Sequence, residues 1–161
     1  MTKRKNVDDV TSNIPGSDGQ SRKYGMSTLA VHAGARPDPV TGARGTPIYQ
    51  TTSFVFDDAE HGAELFNLQT FGYVYSRMTN PTVSVFEERV AQLEGGRGAV
   101  ATSSGHAAQF IAAATLMEAG DEFIASRNLY GGSVTQFGVS FPKLGWKCNF
   151  VDPTDPENFE K

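Results

Sequence analysis

The sequence has little cysteine, little histidine and no long apolar run, and each shortage excludes a class of protein. One cysteine, Cys148, cannot form an internal disulfide, so we expect a reducing, cytoplasmic environment. Three histidines, His32, His61 and His106, stand far apart without a companion cysteine, so we expect no metal site. No apolar stretch approaches the roughly 18 residues of a membrane span, and no apolar signal core follows the basic start, so we expect no membrane partner.

Charge is distributed unevenly along the 161 residues. The first 25 residues carry five basic and three acidic side chains, whereas the remainder carries nine basic and fifteen acidic ones. The acidic body argues against nucleic acid as a partner. Residues 1–24 are polar and rich in Ser, Asn, Asp, Gly and Lys, a composition that predicts a disordered tail.

Residues 25–78 contain no obvious hydrophobic core of their own. Between Met26 and Gly45, short apolar pieces are broken by Gly and Pro, which predicts loops. Asp57-Asp58 then offers an N-cap for a helix over residues 59–66. We therefore expect this stretch to lie against something else, either the rest of its own chain or a neighbouring subunit.

Residues 79–161 alternate between helical and strand patterns. Asn80-Pro81-Thr82 is typical of a helix start and Gly95-Gly96 of a helix end. The remaining predicted elements are strands over 99–102, 122–125 and 147–151, and helices over 106–119 and 133–144, with a last helix opening at 155–157. This alternation predicts an α/β fold with a mainly parallel sheet. Because three strands with two faces to cover make a poor independent domain, we interpret the chain as the N-terminal part of a longer protein.

Two turns in this α/β region carry groups suited to a phosphorylated, planar ligand. The turn that ends in Ser104 leads into a helix, where the free amides of Gly105 and His106 favour a phosphate. The alternative is a tight turn that merely needs a small residue. Tyr130 follows the next strand and could stack on a planar ring and handle a proton, or simply cap the core.

A third candidate lies in the stretch that lacks its own core. Arg77 is suited to a bidentate phosphate contact, and Tyr75 would face the same side of an extended chain. The alternative is a solvated arginine on a loop.

The order of these motifs resembles the Cys/Met-metabolism family of pyridoxal-phosphate (PLP) enzymes, from about residue 27 to residue 158. Four motifs at matching separations make the resemblance specific. They are Tyr75-Ser76-Arg77-x-x-Asn80-Pro81-Thr82, Leu93-Glu94-Gly95-Gly96, Ser103-Ser104-Gly105 and Leu129-Tyr130-Gly131. The resemblance implies a PLP-dependent transferase of fold type I, similar to aspartate aminotransferase, with a mainly parallel sheet between helical layers and truncated in this chain.

Within the family, further stretches resemble the O-acetylhomoserine sulfhydrylase branch. They are His32-Ala33-Gly34 with Pro37-Asp38-Pro39, residues 47–54, and the lead-in at residues 63–66. His106 also fits this branch, and Gly132 stands where methionine γ-lyases have a cysteine. The resemblance implies a γ-replacement in methionine and cysteine biosynthesis, which converts O-acetyl-L-homoserine and sulfide or a thiol to homocysteine or methionine and acetate.

Two alternatives remain open at this point. One is another enzyme of the family: cystathionine γ-synthase, O-succinylhomoserine sulfhydrylase or a γ-lyase. The other is an inactive truncated fragment that binds phosphate or docks on a partner. The family's Schiff-base lysine follows a Ser-x-Thr pattern, and no lysine in this sequence has that setting. Since a covalent PLP site needs that lysine, we expect the 161 residues to be inactive alone.

The resemblance also assigns roles to the candidate residues. Tyr75 and Arg77 would reach the cofactor phosphate of a neighbouring subunit, so that residues 25–78 would form an arm in a homo-oligomer, usually a dimer of dimers. Tyr130 would stack on the pyridine ring, and Tyr130 and Tyr75 would be catalytic.

The resemblance also implies that the start of the helix after Ser104 binds the cofactor phosphate of the same subunit. The amides of Gly105 and His106 would bind it, with Ser104 beside them. Residues 79–161 would then be the first part of the PLP-binding domain.

Overall fold

The computed structural model describes residues 12–15 and 21–160, which form two compact units. One unit extends to Ala101 and the other begins at Thr102. The strands are β1 (Ser12–Pro15), β2 (Ser21–Tyr24), β3 (Glu122–Ser126) and β4 (Lys147–Val151). The helices are α1 (Met26–His32), α2 (Ala59–Phe66), α3 (Pro81–Glu94), α4 (Gly105–Leu116) and α5 (Gly131–Thr135). A π-helical turn (Gln136–Ser140) and a 3₁₀ turn (Phe141–Leu144) continue α5, and another 3₁₀ turn spans Pro156–Phe159.

The start of the first unit differs from the loop that its Gly and Pro content predicts. Residues 26–32 form α1, which packs against α3. Leu29 and the C-cap residue Ala33 lie four residues apart on one side of this helix and are fully buried. Burial of that face stabilises a helix too short to form on its own. The loop prediction was wrong for these seven residues because the contact with α3 decides their structure.

Gly34 lets the chain pass close to α3. Its φ is +71°, and an ideal Cβ there would lie 2.6 Å from the carbonyl oxygen of Val85. One residue earlier, the carbonyl of Ala33 accepts a hydrogen bond from Arg89 Nε at 2.9 Å. The approach therefore requires glycine for both backbone conformation and space.

The predicted helix signals of the first unit are confirmed. Asn80 accepts a hydrogen bond from the Thr82 amide at 2.9 Å, and Pro81 occupies the first helical position of α3. Gly95 ends α3 with φ +66°. At α2, the Asp58 carboxylate accepts from the His61 amide at 2.8 Å.

The second unit contains the predicted parallel pair. β3 and β4 run parallel with Glu122 opposite Lys147 and Ser126 opposite Val151, and the helical segment 131–144 connects them. An aromatic cluster beneath it comprises Phe110, Phe123, Phe137, Phe141 and Trp146. Because Phe141 and Trp146 are buried, this cluster is the core of the unit.

Two other predicted elements differ in the structure. Residues 99–102 form no strand, and Val100 is 78% exposed. A strand needs a hydrogen-bonded neighbour, and in the described part of the chain β3 and β4 pair with each other. The helix predicted to reach residue 119 ends at Leu116, after which the Asp121 carboxylate accepts from the Glu118 amide at 2.7 Å in a turn.

The predicted tail is described only in part, because residues 1–11 and 16–20 lie outside the described residues. Strands β1 and β2 pair antiparallel, with Ser12 opposite Tyr24. These two pieces form a strand pair, and the disordered tail over residues 1–24 stays a prediction. Among residues 12–15 and 21–160, no helix is long and apolar enough to cross a bilayer.

Candidate functional site

The first turn of α4 presents open hydrogen-bond donors. Ser104 is the N-cap, and its Oγ accepts from the Ala107 amide at 3.1 Å while its carbonyl accepts from the Ala108 amide at 3.0 Å. Within the described ranges, the amides of Gly105 and His106 have no hydrogen-bond acceptor. No heavy atom lies within 4 Å of an ideal Cβ at Gly105. Two free donors at the positive end of a 12-residue helix, beside open space, can bind an anion.

Tyr130 lies beside this turn in the same unit. Its carbonyl accepts from the amides of Ser133 and Val134 at 2.8 and 3.1 Å, which fixes the backbone at the start of α5. The residue is 77% exposed, and its ring centroid lies 5.8 Å from that of His106. The structure therefore brings four predicted residues together: Ser104, Gly105, His106 and Tyr130.

Gly132 makes this close arrangement possible. An ideal Cβ at residue 132 would lie 2.6 Å from His106 Cε1 and 2.8 Å from Tyr130 Cε1. A side chain there would have to displace both rings. The missing Cβ thus allows the imidazole and the phenol ring to stand side by side.

Two glutamines join the elements that carry these residues. Gln136 Nε2 donates to the carbonyl of His106 at 2.9 Å, and Gln109 Nε2 donates to Ser133 Oγ at 3.0 Å. Sequence reasoning missed Gln136, because a single polar side chain in a helical stretch carries no signal of its partner. Only the contact between the π-helical turn and α4 reveals the bond.

The ends of β3 and β4 are also joined, at the start of the loop that leads from β3 to Tyr130. The Arg127 amide donates to the Val151 carbonyl at 2.9 Å, and the Arg127 guanidinium forms an ion pair with the Asp152 carboxylate. Hydrogen bonds from Thr154, supported by the charge of Arg127, lower the pKa of Asp152 below its usual value. The loop that leads to Tyr130 therefore begins from a fixed position.

Tyr75 and Arg77 lie on a segment of the first unit that is held by backbone pairing. Tyr75 forms an antiparallel bridge with Ser53, and the Ser76 amide donates to the Thr52 carbonyl at 2.8 Å. The Arg77 guanidinium carbon lies 5.4 Å from the centroid of the Tyr75 ring. In the part of the chain that the structure describes, Arg77 has no anionic partner. It is an exposed cation available to an external anion.

Asn80 connects this segment to α3. Its Nδ2 donates to Ser76 Oγ and to the Tyr49 carbonyl, each at 2.9 Å, while its Oδ1 caps the helix. The side chain is buried. The sequence identified Asn80 as a cap, but not as the anchor of the segment that carries Tyr75 and Arg77.

Other candidates for chemistry are less suited to it. Burial raises the pKa of the Cys148 thiol, which disfavours the thiolate and agrees with a structural role in β4. Across residues 12–15 and 21–160, no group of three or more His, Cys, Asp or Glu side chains could hold a metal ion.

Comparison with known proteins identifies relatives over most of the chain. A family profile described as Cys/Met metabolism PLP-dependent enzyme matches residues 27–161. An O-acetyl-L-homoserine sulfhydrylase from Leptospira meyeri is 50% identical over 147 residues, which is 91% of this chain and 33% of that relative. O-acetyl-L-homoserine sulfhydrylase 1 from Thermus thermophilus is 53% identical over 83% of this chain and 32% of its own length. The chain thus spans about a third of the length of these curated relatives.

Solved structures give the same result. A Campylobacter jejuni protein with the provisional name O-acetylhomoserine (thiol)-lyase superposes with a TM-score of 0.80 at 34% identity, over 85% of this chain and 34% of that one, and it contains N'-pyridoxyl-lysine-5'-monophosphate. A cystathionine gamma synthase from Xanthomonas oryzae superposes with a TM-score of 0.73 at 31% identity, over 84% of this chain and 33% of that one. These are enzymes of fold type I, as the sequence predicts. The chain belongs to the Cys/Met metabolism family of PLP-dependent enzymes.

Proposed function

We propose that the complete protein catalyses a PLP-dependent γ-replacement, in which sulfide or a thiol displaces acetate from O-acetyl-L-homoserine to give homocysteine or methionine. The observation that carries this proposal is the identity of about half of the residues with relatives named O-acetyl-L-homoserine sulfhydrylase, over more than four fifths of this chain. We place this biosynthetic reaction in the cytoplasm.

The residues of the second unit fit the cofactor. The open amides of Gly105 and His106 would bind its phosphate, with Ser104 fixing the turn through its bond to the Ala107 amide. The exposed ring of Tyr130 would stack on the pyridine ring. When bound, PLP supplies an electron sink for the carbanionic character that develops on the substrate.

Tyr130 also has a role in proton transfer under this proposal. The residue is exposed, and its backbone carbonyl is held by two amides at the start of α5. A phenol beside the cofactor can hold and move a proton at the substrate α carbon. The His106 ring on its flank would limit the positions open to the Tyr130 ring.

Tyr75 and Arg77 would serve the phosphate of a neighbouring subunit. The exposed guanidinium has no anion of its own in the described first unit, and it is carried on a segment fixed by Asn80. Arginine binds phosphate bidentately, so this arm would add charge to the neutral amides of the partner's helix start. Reciprocal exchange of arms requires at least a homodimer, and we propose a dimer of dimers.

A substrate panel on the complete protein tests the proposed activity. We expect homocysteine to form from O-acetyl-L-homoserine and sulfide, with kcat/KM higher than for O-succinyl-L-homoserine with sulfide and for the breakdown of cystathionine or methionine. Preference for any of the other substrates would replace this proposal with the corresponding reaction of the family. No turnover of any of the four, with PLP present, would favour a binding or docking role.

A further inference from the structure

Gln136 stands where the helix after Tyr130 widens from α to π geometry. From this position its amide reaches α4, where Nε2 donates to the His106 carbonyl at 2.9 Å. A carbonyl oxygen can only accept, so the amide nitrogen must face it and the orientation of the side chain is fixed. Single π turns inside helices occur frequently at functional sites.

The bond acts on the peptide unit that follows His106. The carbonyl of this unit accepts from Gln136, and its N–H, which belongs to Ala107, donates to Ser104 Oγ at 3.1 Å. The unit is therefore held at both ends. The next amides toward the N-terminus are the open donors of Gly105 and His106, so their direction depends on this anchored unit.

The amide oxygen of the Gln136 side chain indicates that this residue positions α4 rather than stabilises the fold. Gln136 Oε1 is buried and has no hydrogen-bond partner among the described residues. An unpaired buried acceptor destabilises a fold, so an apolar side chain of similar size should cost little there. Such a side chain would lack the hydrogen bond to the His106 carbonyl.

We propose that Gln136 is a positioning residue that directs the first turn of α4 at the phosphate of the ligand. The inference rests on the proposed function of that turn. A second link between α4 and the helical segment 131–144, from Gln109 to Ser133, lies farther along α4 and supplies a matched control.

The test compares the complete wild-type protein with its variants Gln136→Leu and Gln109→Leu. Each protein is freed of cofactor and titrated separately with PLP and with pyridoxal, which lacks the phosphate. We expect Gln136→Leu to weaken PLP binding by about five- to tenfold, the size of one hydrogen bond lost between the misdirected amides of the turn and the phosphate. Pyridoxal binding and the Tm should not change. Gln109→Leu leaves the buried Ser133 hydroxyl unpaired, so we expect it to lower the Tm while the preference for PLP over pyridoxal is retained.

The outcomes separate the inference from the function on which it rests. If the wild-type protein binds PLP no more tightly than pyridoxal, the phosphate role of the turn is wrong. If the wild type prefers PLP and Gln136→Leu retains that preference in full, or loses affinity for both ligands equally, the positioning role is wrong. Gln136→Met provides the same comparison should the leucine variant fail to fold.

Discussion

His106 and Tyr130 share a space that a side chain at position 132 would fill. Their ring centroids are 5.8 Å apart, and both rings come within 3 Å of an ideal Cβ on Gly132. Exposed rings can rotate away, so the expected result of adding a methyl group is displacement rather than unfolding. Such displacement changes the position of the ring that we propose to stack on the cofactor.

We therefore predict that Gly132→Ala in the complete protein weakens PLP binding by up to about tenfold, since a stacked pair of aromatic rings contributes about 0.5–1.5 kcal/mol. Gly131→Ala is the control, because no heavy atom lies within 4 Å of an ideal Cβ at Gly131. PLP titration of the two variants gives the measurement. Equal PLP affinities of the two variants would show that the positions of the His106 and Tyr130 rings do not require glycine at residue 132.

A double variant identifies which ring matters. Removing the imidazole with His106→Ala should reduce the cost of Gly132→Ala, so that the two changes together weaken binding by less than the product of their separate effects. Strict multiplication would contradict the contact between His106 and residue 132.

At this scale the sequence identified candidate site residues but not the residues that hold them in position. Tyr130 and the Ser104 turn carry recognisable local patterns, and the structure places them side by side. Gln136 and the anchoring bonds of Asn80 depend on contacts with residues that are distant in sequence. A single sequence contains no signal for such pairs.

At the scale of the element, local signals predicted boundaries well where caps are present. Asn80 and Gly95 bound α3 as predicted, and Asp58 starts α2. Short α1 has no side-chain cap, and its formation depends on burial of Leu29 and Ala33. The predicted strand at 99–102 has an apolar composition but no partner strand in the described chain. Tertiary contacts decided both of these cases.

The contact between α1 and α3 yields a stability prediction. Gly34→Ala introduces a side chain at φ +71° and places its Cβ 2.6 Å from a backbone oxygen of α3. We expect a loss of about 2–4 kcal/mol in the free energy of unfolding, which combines left-handed strain with overpacking. Gly42→Ala is a matched control, because Gly42 has φ +70° but no heavy atom within 4 Å of an ideal Cβ.

Urea denaturation of the complete protein measures both variants. Gly42→Ala should lose only the conformational part, about 1 kcal/mol. Equal losses would mean that the approach of Gly34 to Val85 relaxes without cost, and that α1 is not held tightly against α3.

At the scale of the whole molecule, the described chain exposes many large apolar side chains. Val55 is 96% exposed, and Val40, Leu68 and Phe71 are close behind. Such surfaces are typical of a core or interface completed by further residues or subunits. The chain spans about a third of its curated relatives, which agrees with this interpretation.

The arm formed by residues 25–78 remains a prediction at this scale. The first unit fixes Tyr75 and Arg77 on one exposed segment, and the second unit gathers the amides of Gly105 and His106 with Tyr130. We propose that both groups serve one cofactor, each contributed by a different subunit of a homo-oligomer. The lack of a core in residues 25–78 left two partners open, the rest of the chain or a neighbouring subunit, and the resemblance carried by the order of the motifs favours the neighbouring subunit.

The central claim is that this chain contributes a phosphate turn and a stacking tyrosine to a PLP site. The most direct test is the absorption spectrum of the complete protein, titrated with PLP and then reduced with borohydride. We predict a saturable visible band that reduction removes, leaving the cofactor covalently attached. Absence of a band at saturating PLP would contradict the account, because the complete protein would then hold no such cofactor for the turn and the tyrosine to contact.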